Sequence, residues 1–156
     1  MIIIGSDHTG VDLKNKIIHY LSERKLNYED VTQHNLPGDD YPDIATQICC
    51  KVKENSGNIG IAICGTGIGI SIACNKVRGI RAALATDVYM AEMSRRHNNS
   101  NVLCLGARLD CCKEFKNVEN IIEAYLNNFY EAGRHERRLL KIQNIEKSNF
   151  DLEEER

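Results

Sequence analysis

Residues 59–76 read IGIAICGTGIGISIACNK, and this stretch decides the fold. Its first six residues are apolar or glycine at every position, so neither face of the strand they form is polar. A strand of that kind is covered on both sides, as in a parallel sheet flanked by helices. Gly65, Gly67 and Gly69 then punctuate a tight turn, and residues 70–76 open a helix.

The same strand-then-helix order recurs outward from this unit. Residues 1–6 are a short β-branched run, and residues 12–25 place Leu13, Ile17, Ile18 and Leu21 on one helical face. Residues 27–32 form a second candidate strand. A polar loop over 33–42 carries Pro37, Gly38 and Pro42, and a helix over 41–54 carries Ile44, Ile48 and Val52 at fourfold spacing. Further along, 80–85 predicts a fourth strand, followed by a helix opened by Asp87 and ended near His97. Residues 101–106 predict a fifth strand. A long helix over 111–129 follows, with Phe115, Val118, Ile122 and Leu126 on its stripe. Gly133 breaks it, an amphipathic helix spans about 134–149, and the tail DLEEER is expected to fray. Strands three to five are apolar on nearly every position, and each reads as buried on both faces. The expected class is α/β with a five-stranded parallel sheet.

The 156 residues suit one domain over 1–156, with a core over 1–130. A chain of this length buries about two thirds of the surface that its unfolded form exposes, enough to fold without disulfides or metal. The helix at 134–149 is surplus to covering the sheet, and packing on a partner subunit is the favoured use of it over packing on its own domain. Hydrophobic residues at 42% and charged residues at 27% describe a globular chain. The net charge of -2 excludes a general electrostatic grip on nucleic acid or an anionic membrane. MIIIGSDHTG has no basic leader and only a brief apolar run, so neither a signal peptide nor a membrane span is expected. The seven cysteines form no CxxC pair, which removes the zinc-finger and thioredoxin spacings and suggests reduced thiols in a cytoplasm. Most are expected to be small buried hydrophobes.

Ligands of open α/β sheets bind outside the carboxyl ends of the strands. Asp7 and His8 fall there after strand one, Cys64 to Gly69 after strand three, and Arg108 after strand five. The turn formed by Gly65, Thr66, Gly67, Ile68 and Gly69 lets backbone amides converge on an anion, either a phosphate or a transient oxyanion. A plain tight turn is the simpler alternative. The turn lacks the Lys-Ser/Thr of a P-loop, and Ile70 replaces the third glycine of a dinucleotide fingerprint. Cys64, just before these amides, is placed to favour a thiolate suited to proton abstraction beside a carbonyl, though a strand-end cysteine is also ordinary core. His97 and Asn98 read as a helix end or as a general acid with its neighbour. Asp7 and His8 read as helix caps or as substrate contacts. Arg134 and Arg138 are four apart, on one helix face that would grip phosphate if it is not merely solvated; Arg137 points away.

The strings GSDHTG, DYPDIA, ICGTGIGISIACNKVRGIRAA, SRRHNNSNVLCLGAR and AGRHERR span residues 5–138 in order. Together they resemble the ribose-5-phosphate isomerase B / galactose-6-phosphate isomerase family. That resemblance implies a three-layer α/β/α sandwich with strand order 2-1-3-5-4. It also implies a homodimer, or a tetramer, whose active site lies between subunits. The implied reaction interconverts ribose 5-phosphate and ribulose 5-phosphate through a cis-enediolate, without metal or cofactor, in the non-oxidative pentose phosphate pathway. Cys64 is then the base and His97 the proton donor for ring opening, assisted by Thr66. Asp7, His8 and Asn98 contact the sugar, with Asp7 possible in proton transfer as well. The loop of Gly65, Thr66, Gly67, Ile68 and Gly69 receives the enediolate, and Arg108, Arg134 and Arg138 bind phosphate. Relatives without the cysteine use a glutamate where this chain has Ile70, so the chain is of the cysteine type. Ala132 stands where many members have a glycine. A six-carbon phosphate of allose or galactose is the alternative substrate, and a non-catalytic sugar-phosphate binder is the alternative from another class.

Overall fold

The computed structural model describes residues 1–33 and 39–154, with side chains to residue 148. Five strands form one parallel sheet: β1 (Ile2–Ser6), β2 (Tyr28–Asp30), β3 (Ile59–Cys64), β4 (Ala82–Leu84) and β5 (Val102–Gly106). Their order across the sheet is β2-β1-β3-β5-β4, as the resemblance implied. Register is continuous at the centre, where Ile2 pairs with Ile59 and Cys64 pairs with Gly106. The helices are α1 (Val11–Glu23), α2 (Tyr41–Lys53), α3 (Ile68–Cys74), α4 (Val88–Arg96), α5 (Phe115–Asn127) and α6 (Glu136–Glu154).

Two buried clusters explain why the central strands carry no polar face. On one side Ile4, Ile61, Ile63, Leu103 and Leu105 pack against α1 and α5 through Ile17, Leu21, Val118 and Ile122. On the other, Ile3, Ala62, Cys64, Val102 and Cys104 meet Ile44, Ile48, Ile70 and Cys74 of α2 and α3. Strands β1 and β5 are buried at every residue and β3 at every residue after Ile59, whereas β4 is only half-buried. The expectation of a fully covered fourth strand fails because β4 is a sheet edge, paired on one side only.

Three other boundaries differ from expectation. The helix over 111–129 is two pieces: Asp110–Cys112 makes a 3₁₀ turn, Glu114 is extended, and α5 starts at Phe115. The turn lets the chain reverse over the sheet edge while burying Cys112. The last helix begins as a separate 3₁₀ turn, Gly133–His135, so Arg134 precedes α6 rather than sharing an α-helical face with Arg138. Finally, α6 runs to Glu154 because Leu and Glu in the tail favour helix. Residues 155–156 lie outside the described residues, as do 34–38 of the polar loop, with Pro37 and Gly38.

All seven thiols are free. Cys49, Cys74 and Cys104 are fully buried core residues, as expected of most cysteines here. The hydrogen bond toward Cys74, together with burial, pushes the Cys49 thiol far up; a bond toward Cys104 acts likewise on Cys74. No described helix is long and apolar enough to cross a membrane.

Candidate active site

The carboxyl edge of the sheet gathers one group of the expected residues. The Asp7 amide donates to the carbonyl of Ile63 at 3.1 Å, tying the end of β1 to that of β3. Asp7 does not cap α1, whose N-cap is Gly10. Its Oδ1 instead accepts from the Thr9 amide at 2.9 Å and the Thr9 hydroxyl at 2.6 Å. This fixes a buried carboxylate (5% exposed) at the end of β1. His8 is exposed, and its Nδ1 lies 3.2 Å from the Asp39 carbonyl.

Cys64 ends β3 and is 4% exposed, yet its sulfur is engaged by the glycine turn. The Gly67 amide donates to Cys64 Sγ at 3.2 Å. Gly67 has φ 73° and is the N-cap of α3. A Cβ there would sit 2.5 Å from Leu84 Cδ1 and 3.0 Å from the Leu105 carbonyl carbon. A Cβ on Gly106 would sit 2.5 Å from the Thr66 carbonyl oxygen. Glycine at these two positions therefore lets the turn lie directly on the end of β5. Gly67→Ala is expected to cost about 2–4 kcal/mol from left-handed strain plus overlap. Thermal unfolding measures this, and an unchanged Tm would contradict the packing. Thr66 is exposed, and its Oγ1 accepts from the Ile68 amide at 3.3 Å.

Arg108 completes this edge. Its amide donates to the Gly65 carbonyl at 2.9 Å, as the Ala107 amide does to the Cys64 carbonyl. A Cβ built on Gly65 would stand 3.4 Å from Thr9 Oγ1 and 3.6 Å from Arg108 Nη1, so carboxylate, glycine turn and guanidinium adjoin. The ring of Tyr41 lies against Gly69, within 2.8 Å of where a Cβ would be. Sequence reasoning used Tyr41 only as a helix start and passed over Thr9. The Asp-x-Thr spacing was the available signal for Thr9; nothing local marked Tyr41.

The remaining expected residues lie at the opposite edge of the same chain. Helix α4 starts at the carboxyl edge, where Asp87 Oδ1 accepts from the Met90 amide at 2.8 Å, and returns toward the strand starts. His97 is its C-cap, and the left-handed residue that ends the turn is Asn99 (φ 47°). The carbonyls of Asn98 and Asn99 accept from Arg81 Nε at 3.2 and 2.8 Å, just ahead of β4. Five residue steps of β3 separate these edges by about 16 Å. Here His97 stacks on His135, with ring centroids 4.1 Å apart and planes inclined by 12°. Arg134 Nε donates to His135 Nε2 at 3.2 Å. Glu131 Oε2 is 4.0 Å from His97 Nε2 and 3.9 Å from His135 Nε2. Burial, then His97 and the neighbouring arginines, holds the His135 imidazole below its usual range. Arg96, bonded through Nε to Glu131 Oε1 at 2.6 Å, holds that carboxyl below its usual range. Arg134 and Arg138 are exposed beside this cluster in sequence, and Ala132 carries a φ of 54° that costs an L-residue strain. His135 was missed in the sequence because GRHERR reads first as an arginine run, and nothing local marked Glu131, which precedes it.

The Ribose/Galactose Isomerase family model matches residues 2–142. The chain belongs to this family. Ribose-5-phosphate isomerase B of Escherichia coli is 41% identical over 145 residues, covering 93% of this chain and 95% of that protein. Among solved structures, ribose-5-phosphate isomerase B of Clostridium thermocellum superposes with a TM-score of 0.88 at 44% identity, covering 95% of this chain and 98% of that one. The Mycoplasma genitalium enzyme with bound ribulose-5-phosphate gives 0.85 at 42%, covering 94% and 95%. Within the isomerase family this chain keeps a cysteine at the end of β3, against the glycine turn.

Proposed function

We propose that the chain is an aldose-ketose isomerase interconverting D-ribose 5-phosphate and D-ribulose 5-phosphate, in the non-oxidative pentose phosphate pathway. The observation that carries the reading is the Cys64 sulfur receiving the Gly67 amide at 3.2 Å, on the edge that also holds Asp7 and Arg108. Its support is family membership together with the ribulose-5-phosphate held by the Mycoplasma genitalium relative.

In this reading His97 donates a proton to the ring oxygen, with Thr66 assisting, and the furanose opens to the aldehyde. Asp7, His8 and Asn98 orient the hydroxyls. Cys64 removes the proton on C2. The electron pair moves into the C1–C2 bond, and negative charge collects on the C1 oxygen. Amides of the turn formed by Gly65, Thr66, Gly67, Ile68 and Gly69 receive that charge. The C2 hydroxyl proton passes to the C1 oxygen, which moves the charge to the C2 oxygen, and return of the carbon proton to C1 then forms the C2 carbonyl of the ketose. Arg108, Arg134 and Arg138 hold the phosphate.

This chemistry needs groups from both sheet edges, which one chain keeps about 16 Å apart. A two-fold dimer, in which each carboxyl edge meets the partner's His97 edge, removes the difficulty. Unburied apolar side chains support a second copy: Ile72, Val88 and Tyr89 on α3 and α4, and Leu140, Ile142 and Ile145 on α6. A groove of about 690 Å³ between α6 and the β4 edge, lined by Ile80, Arg81, Asn98, Ile142 and Ile145, is open for such packing. Seven free thiols suit the cytoplasm as the working compartment.

The direct test is assay of the purified chain on ribose 5-phosphate after treatment with a chelator. Interconversion with deuterium entering from solvent is expected, with kcat/KM above that for allose or galactose 6-phosphate. Tight binding without any exchange would mean a binding module instead. A preference for a six-carbon phosphate would overturn the substrate assignment alone.

A further inference from the structure

His97, Glu131 and His135 do more than neighbour one another. One donor atom from each of the three lies within 4.8 Å of the other two, and Glu131 Oε2 faces Nε2 of both histidines. They come from three segments: the end of α4, the stretch after α5, and the 3₁₀ turn Gly133–His135. We propose that this triad is a binding site for a borderline divalent d-block cation such as Zn²⁺, and that an occupied site inhibits the isomerase.

The donor set of two imidazole nitrogens and one carboxylate oxygen matches that class of cation and not Mg²⁺ or Ca²⁺, which prefer oxygen. A tetrahedral Zn²⁺ at 2.0–2.2 Å from each donor places the donors about 3.4 Å apart. The gaps of 3.9 and 4.0 Å from Glu131 Oε2 to the two histidines exceed this by about half an ångström. Closing them requires one imidazole to turn out of the stack, because each nitrogen lone pair lies in its ring plane and two parallel planes do not meet at one ion. The buried His135 supplies a fixed point, and the half-exposed His97 and exposed Glu131 supply the movement.

The surroundings supply support for the ligands, against positive charge from Arg96, Arg134 and Arg138 that the three coordinate bonds must outweigh. Two imidazolium rings face to face at 4.1 Å would repel, so the stacked pair suits a single positive centre better than two separate protons. Arg96 occupies Glu131 Oε1 and leaves Oε2 turned toward the histidines, the outer-sphere support a ligating carboxylate needs. Arg134 Nε already donates to His135 Nε2, so that nitrogen presents its lone pair, and the cation replaces the guanidinium N–H. Binding forms three coordinate bonds, releases to water the proton of any protonated ring, and leaves the fourth position to water. No electron is transferred. With His97 Nε2 bound to metal, it can donate no proton to a furanose. The inhibition therefore rests on the role proposed for His97; the cation site itself does not.

The test uses the full-length chain, stripped with a chelator and titrated with Co²⁺ and Zn²⁺. One Co²⁺ per chain is expected, with visible ligand-field absorption and no thiolate charge-transfer band. Glu131→Gln and His135→Gln should each weaken binding about tenfold or more. Zn²⁺ should slow turnover of cyclic ribose 5-phosphate by the wild type, with Glu131→Gln escaping at the same concentration. No binding at about 100 µM Zn²⁺, or a thiolate band with affinity unchanged in Glu131→Gln, would overturn the site and assign any inhibition to the cysteines. Binding lost in both variants, with wild-type turnover unaffected by Zn²⁺, would uphold the site and remove His97 from ring opening.

Discussion

Cys64→Ala is expected to lower kcat by about 10³-fold or more while leaving affinity for inorganic phosphate within about twofold. The residue is the proposed base, and the deletion removes one sulfur that accepts an amide hydrogen bond from Gly67 at 3.2 Å. Arg108, Arg134 and Arg138 are untouched by it, so the phosphate grip should persist. Folding should persist as well, since the site shrinks by one atom in a cluster that Ile70, Cys74 and Cys104 still fill. Deuterium uptake into the sugar should cease together with turnover. A variant that kept even a tenth of wild-type turnover would remove Cys64 from the reaction.

The second large effect is complementation. Cys64→Ala and His97→Asn each damage a different edge of the sheet, about 16 Å apart in one chain. If each active site joins one chain's carboxyl edge to the other chain's His97 edge, a mixed dimer contains one intact site. Equal amounts of the two variants, allowed to exchange subunits, should therefore recover about a quarter of wild-type activity on cyclic substrate. Either variant alone should stay far below that. Persistent inactivity in demonstrably mixed dimers would show that all the groups serve one chain's own pocket, and the proposed assembly would fail.

Much of the site was legible in the residues before any coordinates. The apolar run ending in Cys64, the spaced glycines after it and the positions of Asp7 and Arg108 follow from strand ends in a parallel sheet. Local signals were enough there because each group directly follows its strand. The pairing of Arg134 with Arg138 was misread, since a 3₁₀ turn intervenes and four-residue spacing aligns side chains only within an α-helix. The partnership of His97 with His135 was not legible at all. Thirty-eight positions separate them, and only the return of α4 and α5 to the same edge brings the rings to 4.1 Å.

Lys14 makes the same point in the core. It falls beside Leu13 in a helix whose pattern marks a polar residue for solvent, yet it is 2% exposed. Its ammonium donates to the Thr32 carbonyl at 2.6 Å and pairs with Asp30 at 3.0 Å, which satisfies a buried charge. Those partners arrive with β2, from another part of the chain. The amino-acid order by itself determined the strand-helix alternation, the buried character of β3 and the nearness of Cys64 to the glycine turn, because these depend on periodicity and adjacent residues. Tertiary structure alone decided that β4 is an edge, that Lys14 is buried, and that the expected catalytic groups divide between two edges. Such facts depend on which distant segments meet, and no local pattern encodes a meeting.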